Sequence, residues 1–244
     1  GAASGIGRAL ARRFVAEGAR AVAIADLQAE PLQALADELG ALAMPCNVAR
    51  EDDIQRLVAQ TEQQLGPIDI FCSNAGVVAI GDENAPDEEW RLNFDVHVMA
   101  HVYAARAVAP GMAERGSGYL VNTASAAGLL THVNSATYAV SKHAAVAFAE
   151  WLAIAYGPKG VRVSVLCPQA VRTAMTQGRD VSVASVDGMI EPEQLAECVI
   201  DTMDREEFLI LPHPVVLEYM RRKVNDYDRW LRGMQRFRQN VGSL

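Results

Sequence analysis

The sequence predicts an α/β fold: a doubly wound parallel β-sheet flanked by helices, in a single domain over residues 1–244. Three observations predict it. Short apolar runs alternate along the chain with segments of helical period, the pattern of strands buried on both faces between layers of helix. A glycine-rich turn, Gly1, Gly5 and Gly7, opens the first helical segment. No Pro/Gly/Ser-rich linker and no internal repeat interrupts the alternation.

The elements follow in order. Residues 5–17 read as a helix leaving the glycine turn, and 21–26 as a short apolar run ending in an acid, hence a buried strand. Residues 30–39 read as helix, 41–46 as strand, 51–65 as helix and 68–73 as strand. Residues 87–112 form one long helical stretch, 119–123 a strand, and 136–157 a second long helix. The last units are a strand at 161–167, a helix at 192–203 and a strand at 208–211. Glycine-rich turns of this type follow a β-strand. A strand ahead of Gly1 is therefore expected, in the middle of the sheet.

Bulk properties narrow the function. Half of the 244 residues are hydrophobic, enough for a sizeable core. The net charge of −8 argues against binding a nucleic-acid backbone, which needs a basic surface. The four cysteines, Cys46, Cys72, Cys167 and Cys198, form no CxxC pair. Three of them end apolar runs, where Cys acts as a small hydrophobe. No signal peptide and no bilayer-length apolar run is present, so a reducing cytoplasm is the expected location and no membrane partner is expected. Residues 215–239 read as a helical tail with seven basic residues from 221 to 238. Asp226 and Asp228 interrupt its basic face, which favours a helix covering the domain or a neighbouring subunit over a membrane-surface helix.

The glycines can bring backbone close to a pyrophosphate, and the helix behind them offers free N–H groups and a positive dipole end. The next strand ends at Asp26, 19 residues after Gly7. A carboxylate there accepts from ribose hydroxyls and repels a 2′-phosphate. Leu27 and Gln28 follow it, with no Arg or Lys. The pattern points to NAD rather than NADP. The bland alternative for Asp26 is a solvated acid at a strand end.

Tyr138 and Lys142 lie four apart in a helical segment and so share one face. A neighbouring ammonium favours the phenolate, lowers the Tyr pKa and prepares the phenol to exchange a proton with an alcohol oxygen. Ser125, at the end of a predicted strand, can hydrogen-bond that oxygen. Each signal alone is weak, since Tyr and Lys meet on many helices by chance and a lone Ser is commonly a turn residue.

Together the motifs Gly1-Ala2-Ala3-Ser4-Gly5-Ile6-Gly7, Ser73-Asn74-Ala75-Gly76, Ser125, Tyr138-Ala139-Val140-Ser141-Lys142 and the segment 168–173 resemble the ordered set of the short-chain dehydrogenase/reductase family. The resemblance runs from residue 1 to about 211, nearly the whole chain. It implies a Rossmann-type domain, assembled as a homotetramer or homodimer, that transfers a hydride between NAD and a secondary alcohol or ketone. It implies that Tyr138 is the acid/base, that Lys142 holds the nicotinamide ribose and lowers the Tyr138 pKa, and that Ser125 polarises the substrate oxygen. Gly1, Ser4, Gly5, Ile6 and Gly7 would cradle the cofactor phosphates. Asn47 and Val48 would border the adenine. Asn74, Ala75 and Gly76 would support the central strand beside the cofactor, and Val171 and Thr173 would hold the carboxamide.

Four positions depart from the family pattern. Ser73 stands where Asn is frequent. Asn47 replaces Asp, and its carbonyl can still accept from the adenine amine. Gln169 follows Pro168 where Gly is usual, placing a polar side chain at the substrate mouth. His97 occupies the place of an Asn that holds a water of the proton relay behind the Lys. A histidine can also bind water and titrates near neutrality, so the expectation is a relay kept with altered pH dependence. The alternative is a broken relay and a catalytically weak dinucleotide-binding sensor or scaffold. An epimerase or dehydratase on a related fold would need a larger C-terminal domain than this length allows. His97 and His101 have i, i+4 spacing, but Val98 stands where the H-E-x-x-H motif needs Glu, and no metal is expected.

The pocket is expected along 126–137, Gln169 and the substrate loop 176–190. Leu129, Leu130, Val133 and Met189 mix there with His132 and Asn134, which suits a mostly apolar alcohol with one polar feature.

Overall fold

The computed structural model describes residues 1–176 and 185–241. Eight residues of the expected substrate loop, 177–184, and the end of the chain, 242–244, lie outside the described residues.

Every strand pair is parallel. β1 (Ala23–Asp26) pairs with β2 (Leu42–Pro45). β3 (Ile70–Ser73), β4 (Gly118–Thr123), β5 (Val161–Leu166) and β6 (Leu209–Ile210) form a second ladder in that order. Successive side chains of a strand point to opposite faces, and the central strands use both. Leu120 and Val165 enter one core, with α3 (Glu51–Leu65), α5 (Ala100–Arg115) and α7 (Ala136–Tyr156). Val121 and Leu166 enter the other, with α1 (Gly5–Ala16) and α8 (Pro192–Asp204). α2 (Ala29–Leu39) packs with α1 over Ile24 of β1. Strands buried on both sides have no polar face, which is why they read as continuous apolar runs. This is the doubly wound domain the sequence predicts.

Three boundaries differ from expectation. The sheet is two ladders rather than one. A cleft of about 370 Å³ lies between β1 and β3, lined by Ile24, Phe71, Leu10, Phe14, Ile54 and His101 among others. The long stretch 87–112 is also not one helix. It runs as α4 (Asp87–Phe94), a π-helical turn (Asp95–Met99) and α5. One extra residue in that turn rotates the side chains that follow, a device found at functional sites. The tail breaks at Asp226 into α9 (Val215–Asn225) and α10 (Tyr227–Val241). Asp226 leaves the helical region there and its carboxylate accepts from the amide of Arg229, capping the second helix.

No helix among the described residues is long and apolar enough to cross a membrane.

Candidate active site

The glycine turn packs directly on the end of β3. A Cβ on Gly1 would meet the Ala75 Cα at 2.9 Å, and one on Gly7 would meet the Gly1 carbonyl oxygen at 1.9 Å and Asn74 Nδ2 at 2.9 Å. Gly5 has φ +50, and its Cβ would meet Thr173 Cγ2 at 2.9 Å. The turn therefore cannot carry side chains and keep its position. Asn74 fastens it: Nδ2 donates to the Gly1 carbonyl at 3.2 Å, while Oδ1 accepts from the Thr123 hydroxyl at 3.2 Å. Ser4 is the extended N-cap of α1, its hydroxyl makes no capping bond, and the first turn carries no acid. Ile6 packs into the core beneath. A bare helix N-terminus behind a turn whose three glycines admit no Cβ suits a phosphate. The residues present fit the pyrophosphate of a dinucleotide.

Asp26 ends β1 beside this turn. Its carboxylate accepts from the amides of Ala3 and Gln28, each at 3.0 Å. Burial works to raise its pKa, but these bonds and the neighbouring Gly1 amino group together outweigh it, and Asp26 sits below the usual carboxylate range. It is a fixed negative charge at neutral pH. Asn47 follows β2, and its Oδ1 already accepts from the Ala49 amide at 3.1 Å. Its side chain shapes the turn through Val48, which packs against the core. Val171 is buried and bridges Ile190, and Thr173 closes over Gly5.

The chemical groups meet at the C-terminal end of β4. Ser135 caps α7, its hydroxyl accepting from the Tyr138 amide at 3.2 Å, so the first turn of α7 is held rigidly. One turn further on, Lys142 Nζ lies 5.7 Å from the centre of the Tyr138 ring and donates to the Thr123 carbonyl at 3.2 Å. Ser125 accepts from the Ala127 amide at 3.1 Å. Burial pushes the Tyr138 phenol above its usual pKa, with the Ser125 hydroxyl pulling the other way. Burial pushes Lys142 down to about 8. Desolvation is the largest effect on both groups, and the direction found for Tyr138 is opposite to the lowering expected from its Lys neighbour. His132 packs edge-on to the Tyr138 ring at 5.9 Å from the other side.

His97 is fully buried. Its Nε2 accepts from the Val77 amide at 3.1 Å, and its Nδ1 lies 3.0 Å from the Ser141 hydroxyl. Burial, then the Lys142 charge, push it down to about 2. The expectation of a histidine titrating near neutrality is corrected by this burial. His101, one turn on, is buried with neither ring nitrogen partnered among the described residues. Among those residues no group of three or more His, Cys, Asp or Glu is arranged to hold a metal ion.

Sequence reasoning missed Thr123, Ser135, Ser141 and Val77. Ser135 carried a signal, a Ser just before a helix. The other contacts are long-range and leave none. Gln169 Nε2 donates to Asp187 of the expected substrate loop at 2.9 Å, and Tyr219 of α9 donates to the same carboxylate at 3.0 Å.

A two-sided parallel sheet, a bare glycine turn and a Ser, Tyr and Lys gathered at one strand end define an oxidoreductase of the dinucleotide-binding type. Residues 1–183 match the short chain dehydrogenase family, and the chain belongs to that family. It is 39% identical over 220 residues to a 1-deoxy-11-beta-hydroxypentalenate dehydrogenase of Streptomyces exfoliatus, covering 86% of this chain and 80% of the relative. It is 35% identical over 191 residues to a 2-(R)-hydroxypropyl-CoM dehydrogenase of Xanthobacter autotrophicus, covering 73% and 75%. Among solved structures, a short chain dehydrogenase/reductase of Burkholderia phymatum in complex with NAD superposes with a TM-score of 0.84 at 27% identity, covering 93% of this chain and 92% of that one. The L-sorbose reductase of Gluconobacter frateurii, complexed with NADPH and L-sorbose, gives 0.77 at 26% identity, covering 86% and 92%.

Proposed function

We propose that this chain is an NAD-dependent oxidoreductase that interconverts a secondary alcohol and a ketone. The observation that carries the reading is the convergence of Ser125, Tyr138 and Lys142 on one point at the end of β4. A bound nicotinamide would supply the acceptor or donor of the hydride that leaves or joins the carbinol carbon. The Ser125 hydroxyl hydrogen-bonds the substrate oxygen. The Tyr138 hydroxyl takes the proton from that oxygen in oxidation and gives it back in reduction. The Lys142 ammonium, fixed on the Thr123 carbonyl, supplies the positive charge that favours the phenolate in this step.

Gly1, Ser4, Gly5, Ile6 and Gly7 would hold the pyrophosphate, and Asp26 the adenosine ribose. Asn47 and Val48 would border the adenine. Asn74, Ala75 and Gly76 would flank the cofactor beside β3, and Val171 and Thr173 would hold the carboxamide. Solved relatives carry either NAD or NADPH. The choice of NAD rests on Asp26, held ionised where a 2′-phosphate would have to sit. The substrate reading is a mostly apolar carbinol with one polar feature, supported by the mix of Leu129, Leu130, Val133 and Met189 with His132 and Asn134 in the expected pocket segments. The hydroxypentalenate named for one relative agrees with it. Val140, Trp151 and Ile154 form an exposed apolar stripe on α7, which supports a homodimer or homotetramer. The free thiols of Cys46, Cys72, Cys167 and Cys198 support a cytoplasmic setting.

The test is reduction of NAD and of NADP, followed by nicotinamide absorbance, across a panel of secondary alcohols, with Tyr138→Phe as control. Turnover with NAD that vanishes in Tyr138→Phe supports the reading. Tight NAD binding with no turnover on any alcohol, or on the matching ketones with NADH, refutes it in favour of a sensor or scaffold.

A further inference from the structure

His97 links three separate elements. The loop after β3 reaches it through the Val77 amide, which donates to Nε2 at 3.1 Å. A nitrogen that accepts from a backbone N–H carries no proton, so the proton of the ring is on Nδ1. Nδ1–H then donates to the Ser141 hydroxyl at 3.0 Å, and that hydroxyl donates onward to the Tyr138 carbonyl at 3.0 Å. The chain of donors runs in one direction and each group in it is satisfied. The imidazole also packs edge-on to the Tyr138 ring, with centroids 5.4 Å apart and planes at 88°. The π-helical turn is what aims His97 at α7.

We propose that His97 is a positioning residue: a neutral imidazole, protonated on Nδ1, that braces the loop after β3 against the turn of α7 carrying Tyr138, and that passes no proton itself. The proposal rests on the reading of Tyr138 as the acid/base. A proton carrier needs a free lone pair that faces its donor. Both nitrogens of His97 are engaged, one as acceptor and one as donor. The loop it holds is also tied to α7 by Thr137 Oγ1 to the Ala79 carbonyl at 2.9 Å and by the amides of Ala136 and Thr137 to the Gly81 carbonyl at 2.8 and 3.3 Å. Those ties hold the start of the helix. His97 holds the next turn, where Ser141 and Lys142 lie. The titratable groups facing it are Tyr138 and Lys142 of α7 and His101 of α5. Those facing Tyr138 and Lys142 from elsewhere are His132 and Cys167.

The decisive measurement uses the intact wild-type protein with ¹⁵N-labelled histidine. The His97 signals are assigned by their absence in His97→Asn. The expected spectrum has Nδ1 protonated and Nε2 bare, unchanged from about pH 5 to about pH 8, where an ordinary histidine titrates. Titration in that window, or a proton on Nε2, overturns the proposal. Kinetics give a second readout. His97→Ala is expected to lower kcat about ten- to a hundredfold through misplacement of Tyr138, with KM for the cofactor little changed. The pH limb set by Tyr138 should move upward. Ser141→Ala should do the same, and the double variant should lose no more than about twofold beyond either single one, because both cut one chain of bonds. Restoration of His97→Ala turnover by added imidazole would mark a proton carrier and overturn the brace. If Tyr138→Phe keeps its activity, the reading of Tyr138 fails instead, while the ¹⁵N spectrum still reports the state of His97.

Discussion

Lys142 Nζ sits 5.7 Å from the Tyr138 ring and is anchored on the Thr123 carbonyl at 3.2 Å. The ammonium is thus fixed by β4 and the phenol by the capped start of α7, so their separation is set by the packing of helix on sheet. Replacing Tyr138 by Phe removes the proton exchange and leaves this packing. Turnover is expected to fall by on the order of 10²–10⁴, with NAD affinity within about twofold of wild type. Nicotinamide absorbance gives the first quantity and quenching of protein fluorescence on titration with NAD gives the second. A loss of affinity equal to the loss of turnover would place Tyr138 in binding rather than chemistry.

The burial of Lys142 has a consequence for stability. Its pKa falls from the ordinary 10.5 to about 8 in the folded protein. Between these values the unfolded chain holds the proton and the folded chain does not. Stability therefore rises with pH across about 8 to 10.5, by up to about 1.4 kcal/mol per pH unit. Lys142→Met lacks this dependence. It should be more stable than wild type near pH 7, and the difference should shrink toward pH 10. Tyr138, whose phenol is raised by burial, is present in both proteins and so drops out of the comparison to first order. Urea unfolding at several pH values measures it. A difference that stays constant with pH would show that the ammonium is not depressed.

Much of this was legible in the sequence because it is local. The apolar strands, the glycine turn, Asp26 and the Tyr138–Lys142 spacing each depend on residues near in sequence, and the structure places them where that spacing requires. The π-helical turn was not legible. Residues 87–112 keep helical period throughout, and one inserted residue changes the pattern less than ordinary variation does. The state of His97 was not legible either. Its pKa depends on burial and on Lys142, 45 positions away. The same holds for the pKa of Tyr138: an i, i+4 ammonium is visible in the sequence, whereas the desolvation that raises the phenol belongs to tertiary packing.

The glycine turn makes a sharp prediction. In Gly7→Ala the new methyl would lie 1.9 Å from the Gly1 carbonyl oxygen. That neighbour is backbone and cannot rotate away, so the turn must shift. Overpacking of this kind costs about 1–3 kcal/mol, and NAD affinity is expected to fall at least about tenfold. Gly18→Ala is the control, since its Cβ would meet nothing within 4 Å, although its φ of +82 brings a backbone penalty. Thermal unfolding and NAD titration of both variants separate the two effects. Equal affinity in Gly7→Ala and Gly18→Ala would remove the turn from the cofactor site.

Cofactor choice should lie in one charge. Asp26 is ionised and ordered, and Leu27 beside it is 69% exposed, so a long side chain fits there without repacking. Asp26→Asn combined with Leu27→Arg reverses the local charge and keeps one acceptor oxygen, so one of the two amide bonds, from Ala3 or from Gln28, is lost. The ratio of kcat/KM for NADP over NAD is expected to rise at least about tenfold, roughly 1.4 kcal/mol. No change in that ratio would mean the ribose end of the cofactor lies elsewhere.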